Sequence, residues 1–132
     1  HAHHDFELDT PGKDSYEIRK SGAVPMIISS KKRFGLIYEN QNEHEKTLFQ
    51  MINFFSNEIF KKVNLLVVEG FKNEPMQKLE IYRHELDKPL LYEQDTNIFA
   101  LASNKNLKTD LPLLNLDNIN EISKFIQNKF LL

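Results

Sequence analysis

VNLLVVEGFK, residues 63–72, is the segment that says most about the fold class. Its first six residues are valine and leucine apart from Asn64. Such a run predicts a strand that is buried on both faces, as in a parallel sheet with helices on each side. Glu69 and Gly70 follow directly, so a carboxylate and a glycine are expected at the end of this strand.

Upstream of this segment, residues 43–61 carry the clearest helical pattern. Apolar residues recur there at offsets of three, four, seven and eleven, which makes one stripe along a helix: Leu48, Met51, Ile52, Phe55 and Ile59. Asn42 and Glu45 have the spacing of a capping box at the start of this helix. The phenylalanines on and beside the stripe, which include Phe49 and Phe54, indicate packing in a core or at a subunit interface.

Further upstream, the segment PGKDSYEIRKSGA has the pattern of a short helix with both ends marked. Asp14 is a candidate N-cap residue, and Glu17, three residues later, completes a capping box. Gly22 suits the left-handed position that follows the end of a helix.

The remaining elements alternate in type along the chain. Strands are predicted over residues 24–30, 34–38, 79–82 and 98–102, the first of them buried, and a last helix over about 118–129. Alternating strands and helices predict an α/β protein with a mainly parallel sheet. The 132 residues correspond to a single domain over 1–132. In such sheets, ligands bind beyond the carboxyl ends of the strands.

Composition excludes several classes of protein. The net charge is −2, so no basic field favours nucleic acid, and no apolar run approaches the roughly 20 residues of a membrane span. Since the chain has no cysteine, it has no disulfide scaffold, no cysteine zinc site and no thiol nucleophile, which is compatible with a reducing cytoplasm. The first residue is His1 rather than methionine, so we expect further residues upstream.

Glu69 and Gly70 form the first candidate site. A carboxylate at the end of a buried strand can hold a magnesium ion or orient a nucleophilic water, as the Walker B acid does. Gly70 would let the backbone approach a phosphate closely. The alternative is an acid that simply meets solvent at the end of a strand.

DTPGKDS, residues 9–15, is the second candidate. Pro11 and Gly12 predict a tight turn, and the helix that follows directs its first amide groups toward that turn. A helix start together with Lys13 is a possible anion site, the alternative being a capped helix with a solvated lysine. The Walker A pattern GxxxxGK[ST] is absent from the 132 residues.

Two further segments carry polar residues that could bind a metal ion or a ligand. One of them contains three histidines and an acid that could bind zinc or nickel: His1, His3, His4 and Asp5. The alternative is an affinity tag, although Ala2 interrupts the histidines. His44 and His84 lie among charged residues and are predicted to be surface histidines.

ALASNKN, residues 100–106, is a polar turn after an apolar strand. Many GTP-binding proteins read guanine with Asn-Lys-x-Asp at such a position. Here Leu107 follows Asn104, Lys105 and Asn106, so the acid is missing and a plain loop is the alternative.

Taken together, these segments resemble the molybdopterin-guanine dinucleotide biosynthesis protein B family. That family shows Lys-His-x-His-His, then Asp-x-Pro-Gly-Lys-Asp-Ser-Tyr, then Arg-Lys-Ala-Gly-Ala, and later Val-Glu-Gly-Phe-Lys. The matching residues here are His1, His3, His4, Asp9, Pro11, Gly12, Lys13, Asp14, Ser15, Tyr16, Arg19, Lys20, Gly22, Ala23 and Val68 to Lys72. Ser21 stands where the family usually has alanine, and the Ala-Ser pair at Ala102 and Ser103 also fits.

The resemblance implies a P-loop NTPase-like three-layer sandwich and a cytoplasmic accessory protein of molybdenum cofactor biosynthesis. Members of the family bind GTP and Mg²⁺, hydrolyse GTP at most weakly, and assist the guanylyltransferase that attaches GMP to molybdopterin. They form homodimers in which a sheet extends across the subunits, and the expected partners are this enzyme and other cofactor assembly proteins, with neither nucleic acid nor membrane.

Residue by residue, the resemblance implies that Glu69 is the Walker B-like acid and magnesium ligand. It places Asp9, Lys13 and Asp14, with Gly12 between them, in a switch-like loop that faces the phosphates. The loops that contain Gly70, and Ser103 with Asn104, complete the expected nucleotide site.

The chain departs from the family at its start. Family members carry a strand, a Gly-rich Walker A loop and a helix before the histidine stretch, and this N-terminal unit is not in the 132 residues. Because the Walker A loop supplies most of the amides that cradle phosphates, we expect the chain as given to bind GTP poorly. The alternative function is a non-catalytic interaction module that docks on a partner or on itself without nucleotide.

Overall fold

The structure, a computed structural model, describes residues 2, 6–40, 44–55 and 60–131. It divides into two compact units. The first contains His1–Lys62 and Val68–Gly70, and the second contains Val63–Val67 and Phe71–Leu132. The expectation of a single domain stays a prediction. No helix among the described residues is long and apolar enough to cross a membrane.

In the first unit, helix α1 spans Asp14–Lys20 and begins one residue earlier than a cap at Asp14 would allow. Lys13 is the N-cap residue and makes no capping hydrogen bond through its side chain, so the prediction of Asp14 as the cap is wrong. Lys13 has an extended backbone, so Asp14 is the first helical residue. There its negative charge interacts favourably with the positive end of the helix dipole.

The end of α1 agrees with the sequence prediction. Gly22 has a φ of +102°. Its N–H donates to the carbonyl of Arg19 over 2.9 Å, and the N–H of Ala23 donates to the carbonyl of Ile18 over 3.3 Å. These two bonds are those of a Schellman motif, which satisfies the last free carbonyls of a helix.

Strands β1 (Met26–Ser29) and β2 (Phe34–Ile37) lie within two predicted strands, and they pair as an antiparallel hairpin. Ser30 closes its turn, since its N–H donates to the carbonyl of Arg33 over 2.8 Å. The predicted burial of β1 is wrong, because Met26 is its only buried residue and Ile27 is 65% exposed. The hairpin is a two-stranded sheet in the described part of the chain, so neighbouring strands do not cover its residues.

Helix α2 spans Leu48–Phe55 and starts later than the predicted residue 43. Thr47 and Gln50 make the capping box: the Thr47 hydroxyl accepts from the Gln50 N–H, and the Gln50 side-chain oxygen accepts from the Thr47 N–H. The predicted cap at Asn42 and the end of the stripe at Ile59 lie outside the described residues.

The apolar stripe of α2 packs within the first unit. Leu48 is buried, and the next stripe residues are half-buried. Phe54 contacts the rings of Tyr38 and Phe55 edge-on, with centroids 5.9 and 5.2 Å apart. Phe49, by contrast, is 71% exposed, so packing in the core is wrong for this residue within the described part of the chain.

The second unit contains β3 (Lys78–Tyr82), β4 (Ile98–Ser103), β5 (Leu113–Asn115) and helix α3 (Ile119–Phe130). The three strands form a parallel sheet in the order β3-β4-β5. The predicted α/β class with a mainly parallel sheet is therefore confirmed. Strand β5 was not predicted, because its three residues are too few for a periodic pattern.

The core of the second unit lies around the central strand β4. Its buried apolar residues are Ile98, Ala100, Leu101, Ala102 and Leu114. On α3, Phe125 stacks on Phe99 of β4 with centroids 6.1 Å apart, and Phe130 meets the same ring edge-on at 5.6 Å. The helix thus covers one face of the sheet.

The strand predicted over residues 63–68 is not formed in the described part of the chain. Val67 is 78% exposed and Leu66 is 45% exposed, so burial on both faces is also wrong. An apolar β-branched run becomes a strand only when it pairs and packs with neighbouring strands. These residues have the composition of a buried strand without the pairing that makes one.

Candidate functional site

The loop before α1 forms the turn that Pro11 and Gly12 predict. The N–H of Lys13 donates to the carbonyl of Thr10 over 3.2 Å, which closes a four-residue β-turn. Gly12 is the third residue of the turn and has a φ of +80°, the conformation that a type II turn demands there. Lys13 and Asp14 are exposed after the turn, so their charges are accessible to a ligand.

A buried arginine holds this loop in place. Arg19 of α1 is only 8% exposed. Its guanidinium donates to Asp9 Oδ1 over 2.8 Å and also to carboxylate oxygens of Glu7 and Glu39. The three carboxylate partners raise the pKa of Arg19, and burial of the guanidinium opposes them. Asp9 contributes most to the raised pKa, and Glu39 comes next. The arrangement ties the chain before the turn and the chain after β2 to one helix.

This arrangement gives Asp9 a structural contact that the sequence did not predict. The Asp9 side chain is only 4% exposed, and Oδ1 is occupied by Arg19. Its second oxygen, Oδ2, is buried and has no hydrogen-bond partner among the described residues. The structure therefore shows Asp9 as an anchor of the loop, whereas Lys13 presents its charge to solvent.

Glu69 and Gly70 belong to the first unit. Glu69 is exposed, and Gly70 has a φ of +80°, the left-handed conformation that glycine adopts at low cost. Because residues 63–68 do not form a paired strand, the structure does not present Glu69 at the end of a strand in the described part of the chain. The role of Glu69 toward magnesium stays a prediction.

In the second unit, polar side chains meet at the carboxyl ends of β3 and β4. Asn104, directly after β4, accepts the backbone N–H of His84 through Oδ1 over 3.0 Å. Its amide nitrogen donates to Oε2 of Glu85 over 2.6 Å. The Lys105 ammonium lies 3.0 Å from Nε2 of His84. We call Asn104, Lys105, His84 and Glu85 the carboxyl-end cluster.

Ser103 stabilises the start of the loop in this cluster. It is 5% exposed, its hydroxyl donates to the carbonyl of Lys105 over 2.8 Å, and it accepts the Lys105 N–H over 2.9 Å. A cleft of about 280 Å³ adjoins the loop and is lined by Ser103 to Asn106 and Leu113 to Asn115. Its volume is near the lower end of the range for small-molecule sites.

The electrostatics of the cluster favour an ionised carboxylate. The hydrogen bond from Asn104 is the largest of the causes that lower the pKa of Glu85, with a smaller contribution from the charge of Arg83. An ionised glutamate accepts hydrogen bonds only, so Glu85 is an acceptor for hydrogen-bond donors of a ligand.

The predicted site residues thus lie in both units. Asp9, Gly12, Lys13 and Asp14 share the loop before α1, and Glu69 with Gly70 belongs to the same unit. Ser103 and Asn104 belong to the second unit. The histidine stretch His1, His3 and His4, with Asp5, lies outside the described residues, and the described part of the chain contains no group of three or more histidine, cysteine or acidic residues that could hold a metal ion.

Two important polar residues had no signal in the sequence. Glu85 meets Asn104 across nineteen positions, and no spacing rule connects the two. Glu80 of β3 is buried, and its carboxylate accepts the backbone N–H groups of Leu91 and Tyr92 over 2.7 and 2.9 Å. Glu80 therefore fixes the connection between β3 and β4, and it looks like an ordinary outward-facing strand residue in the sequence.

The parallel sheet with polar loops at the carboxyl ends of its strands makes the chain an α/β protein, and it is consistent with a P-loop NTPase-like fold. The model of the family of molybdopterin guanine dinucleotide synthesis protein B matches residues 1–104. The chain belongs to this family, as its motifs predict.

Two relatives extend the similarity to nearly the whole chain. A molybdopterin-guanine dinucleotide biosynthesis adapter protein of Escherichia coli is 35% identical over 127 residues, which cover 96% of this chain and 71% of the relative. A protein of the same description from Haemophilus influenzae is 33% identical over 128 residues, which cover 97% of this chain and 68% of the relative.

Proposed function

We propose that this chain is a GTP-binding adapter in the biosynthesis of molybdopterin guanine dinucleotide. It assists the guanylyltransferase that attaches GMP to molybdopterin, in the cytoplasm, and any GTP hydrolysis by the chain itself is slow. Family membership and the two relatives that carry the adapter name support the adapter role.

The observation that carries the nucleotide part of the proposal is the ordered turn before α1. Arg19 neutralises Asp9 there and fixes the loop, while Lys13 stays exposed next to Gly12. A lysine beside a glycine turn can approach a phosphate group, because the glycine has no side chain to obstruct it. We assign Gly12, Lys13 and Asp14 to the phosphate side of the nucleotide, with Asp9 as the anchor of their loop.

The remaining assignments follow the family pattern. Glu69 is proposed to act toward the Mg²⁺ that accompanies GTP, with Gly70 leaving room for the phosphates. Ser103 and Asn104 are proposed to contact the base side of the nucleotide, because they lie at the carboxyl end of a parallel strand.

Calorimetry with GTP and Mg²⁺ tests the proposal on two forms, the chain as given and a form extended at its N-terminus to include a GxxxxGK[ST] loop. We expect the extended form to bind GTP and the short form to bind weakly. In the extended form, Glu69→Gln should weaken Mg²⁺-dependent binding by about tenfold, because one carboxylate ligand of a magnesium ion is lost.

Glu74→Gln serves as the control, since Glu74 is a nearby half-buried glutamate with no assigned role. Absence of GTP binding in both forms would contradict the nucleotide role and favour the interaction module. An unchanged Mg²⁺ dependence in Glu69→Gln would remove Glu69 from the site.

We also propose a homodimer and docking on the guanylyltransferase. The support is the hairpin of β1 and β2, on which Ile27 and Phe34 are each 65% exposed. Exposed apolar side chains on a two-stranded sheet favour association with another surface. Sedimentation of the chain, alone and with the purified guanylyltransferase, measures both associations, and a monomer that does not sediment with the enzyme contradicts them.

A further inference from the structure

The carboxyl-end cluster contains a carboxylate that the candidate base-reading loop lacks in sequence. In the Asn-Lys-x-Asp pattern, an acid follows the lysine by two positions. That position is occupied here by Leu107, which has no hydrogen-bonding side chain. The structure brings Glu85 to Asn104 instead, with 2.6 Å between the amide nitrogen of Asn104 and Oε2 of Glu85.

Asn104 makes Glu85 an oriented acceptor. Both polar atoms of the Asn104 side chain are engaged with the turn that contains Glu85, one with the backbone N–H of His84 and one with the carboxylate itself. The carboxylate is nevertheless exposed, so a ligand can reach it. A carboxylate that is held in place and open to solvent can recognise two adjacent donors with its two oxygens.

We propose that Glu85, held by Asn104 at the carboxyl ends of β3 and β4, recognises the guanine base of the nucleotide. Guanine presents two adjacent donors on its base-pairing edge, the N1–H and the 2-amino group. Adenine has no donor at the ring nitrogen and no 2-amino group, so an ionised carboxylate selects against it. A cleft of about 280 Å³ adjoins Asn104, the residue that holds Glu85. This inference rests on the proposed binding of a nucleotide by the chain.

The position of Glu85 supports this assignment. Ligands of parallel α/β sheets lie beyond the carboxyl ends of the strands, and the cluster lies at two of these ends. The bond from Asn104 also lowers the pKa of Glu85, which favours the ionised carboxylate. A neutral acid would offer one donor to guanine and lose this match.

Glu85→Gln tests the assignment by exchanging the preferred base. A glutamine side chain can still accept from N1–H through its oxygen. Its amide nitrogen, however, faces the 2-amino group, and both of these groups are hydrogen-bond donors. Xanthine has a carbonyl at that position, which accepts from the amide. We therefore expect GTP binding to weaken by about tenfold or more and XTP binding to strengthen, so that the preference moves from guanine to xanthine.

Calorimetry is run with GTP, XTP and ATP on whichever of the two forms binds GTP. Glu93→Gln is the matched control, because Glu93 is an exposed glutamate of the same unit and should leave all three affinities unchanged. Thermal unfolding of Glu85→Gln shows whether the cluster has only a structural role.

The outcomes separate this inference from the proposed function. If the unsubstituted chain binds no GTP in either form, both fail. If it binds GTP and Glu85→Gln leaves the ratio of GTP to XTP affinity unchanged, the assignment of Glu85 is wrong while nucleotide binding stands. Equal losses for GTP, XTP and ATP, together with a lower unfolding temperature, also overturn the assignment.

Discussion

Gly22 and Gly35 occupy equally open surroundings but differ in backbone conformation. A Cβ atom added at either residue would meet no atom within 4 Å. Gly22 has a φ of +102°, which residues with a side chain rarely adopt, whereas the φ of Gly35 in β2 is not positive. The pair therefore separates the cost of the backbone conformation from the cost of steric contact.

We expect Gly22→Ala to reduce the free energy of unfolding by about 1–2 kcal/mol, because alanine is strained in left-handed backbone. Gly35→Ala should leave stability unchanged or raise it by up to about 1 kcal/mol, since alanine loses less conformational freedom in a strand. Urea unfolding monitored by circular dichroism measures both. Equal effects of the two substitutions would contradict the role of Gly22 in the Schellman motif.

At the same scale, local rules predicted some residues and not others. Gly12 and Gly22 were assigned correctly because a turn or a helix end needs a positive φ within a few residues of sequence. The contacts of Arg19 were not predicted, since Glu7, Asp9 and Glu39 come from distant positions. Asp9 was expected to face phosphates, and only these contacts reveal it as an anchor.

Among the elements, helix α3 has the best defined start. The side chain of Asn118 accepts the N–H of Glu121 over 3.2 Å, as an N-cap residue does. The apolar periodicity predicted this helix to within one residue of its observed bounds. The prediction succeeds because the apolar residues of the helix pack on Phe99 of β4. Local capping and tertiary packing agree at this element.

We expect Asn118→Ala to lower the free energy of unfolding by about 1 kcal/mol, since one backbone N–H at the helix start loses its acceptor. Asn120→Ala, two residues later at an exposed helix position, is the control and should be neutral or slightly stabilising, because alanine favours helix. Chemical denaturation compares them. A loss in Asn120→Ala as large as in Asn118→Ala would contradict the capping role.

The same scale explains the failed strand over residues 63–68. Its composition is that of a buried strand, yet the described part of the chain does not pair it with a sheet. The parallel sheet forms from β3, β4 and β5, whose patterns are shorter and less apolar. Strand formation depends on a neighbour, and a single run of residues does not contain that information.

For the molecule as a whole, Asp95 is one contributor to stability at acid pH. Its carboxylate lies 2.6 Å from the Lys78 ammonium and accepts from the backbone and side chain of Asn97. Lys78 contributes most, and together these groups lower the pKa of Asp95 from its ordinary value of 3.8 to about 2. The folded chain therefore holds this carboxylate ionised at pH values where the unfolded chain protonates it.

The contribution of Asp95 to stability is thus present above the ordinary pKa and is lost as the pH falls from there toward 2. We expect Asp95→Asn to be less stable than the unsubstituted chain at neutral pH and to lose less stability on acidification. Urea midpoints between neutral pH and pH 2 measure the difference. Asp110→Asn, at an exposed carboxylate of the same unit, is the control. If the urea midpoints of Asp95→Asn and of the unsubstituted chain fall in parallel as the pH is lowered, this account is contradicted.

The sequence alone determined the α/β class, the turn before α1, the end of α1 and membership of the family, because these depend on local spacing and on motifs carried by adjacent residues. Only the tertiary structure decided which strands pair, that Arg19 and Asp9 anchor the loop before α1, and that Glu85 stands beside Asn104. These features join residues that are far apart in sequence. Hydrogen bonds and ion pairs act over about 3 Å in space, and only the folded chain brings such residues to that distance.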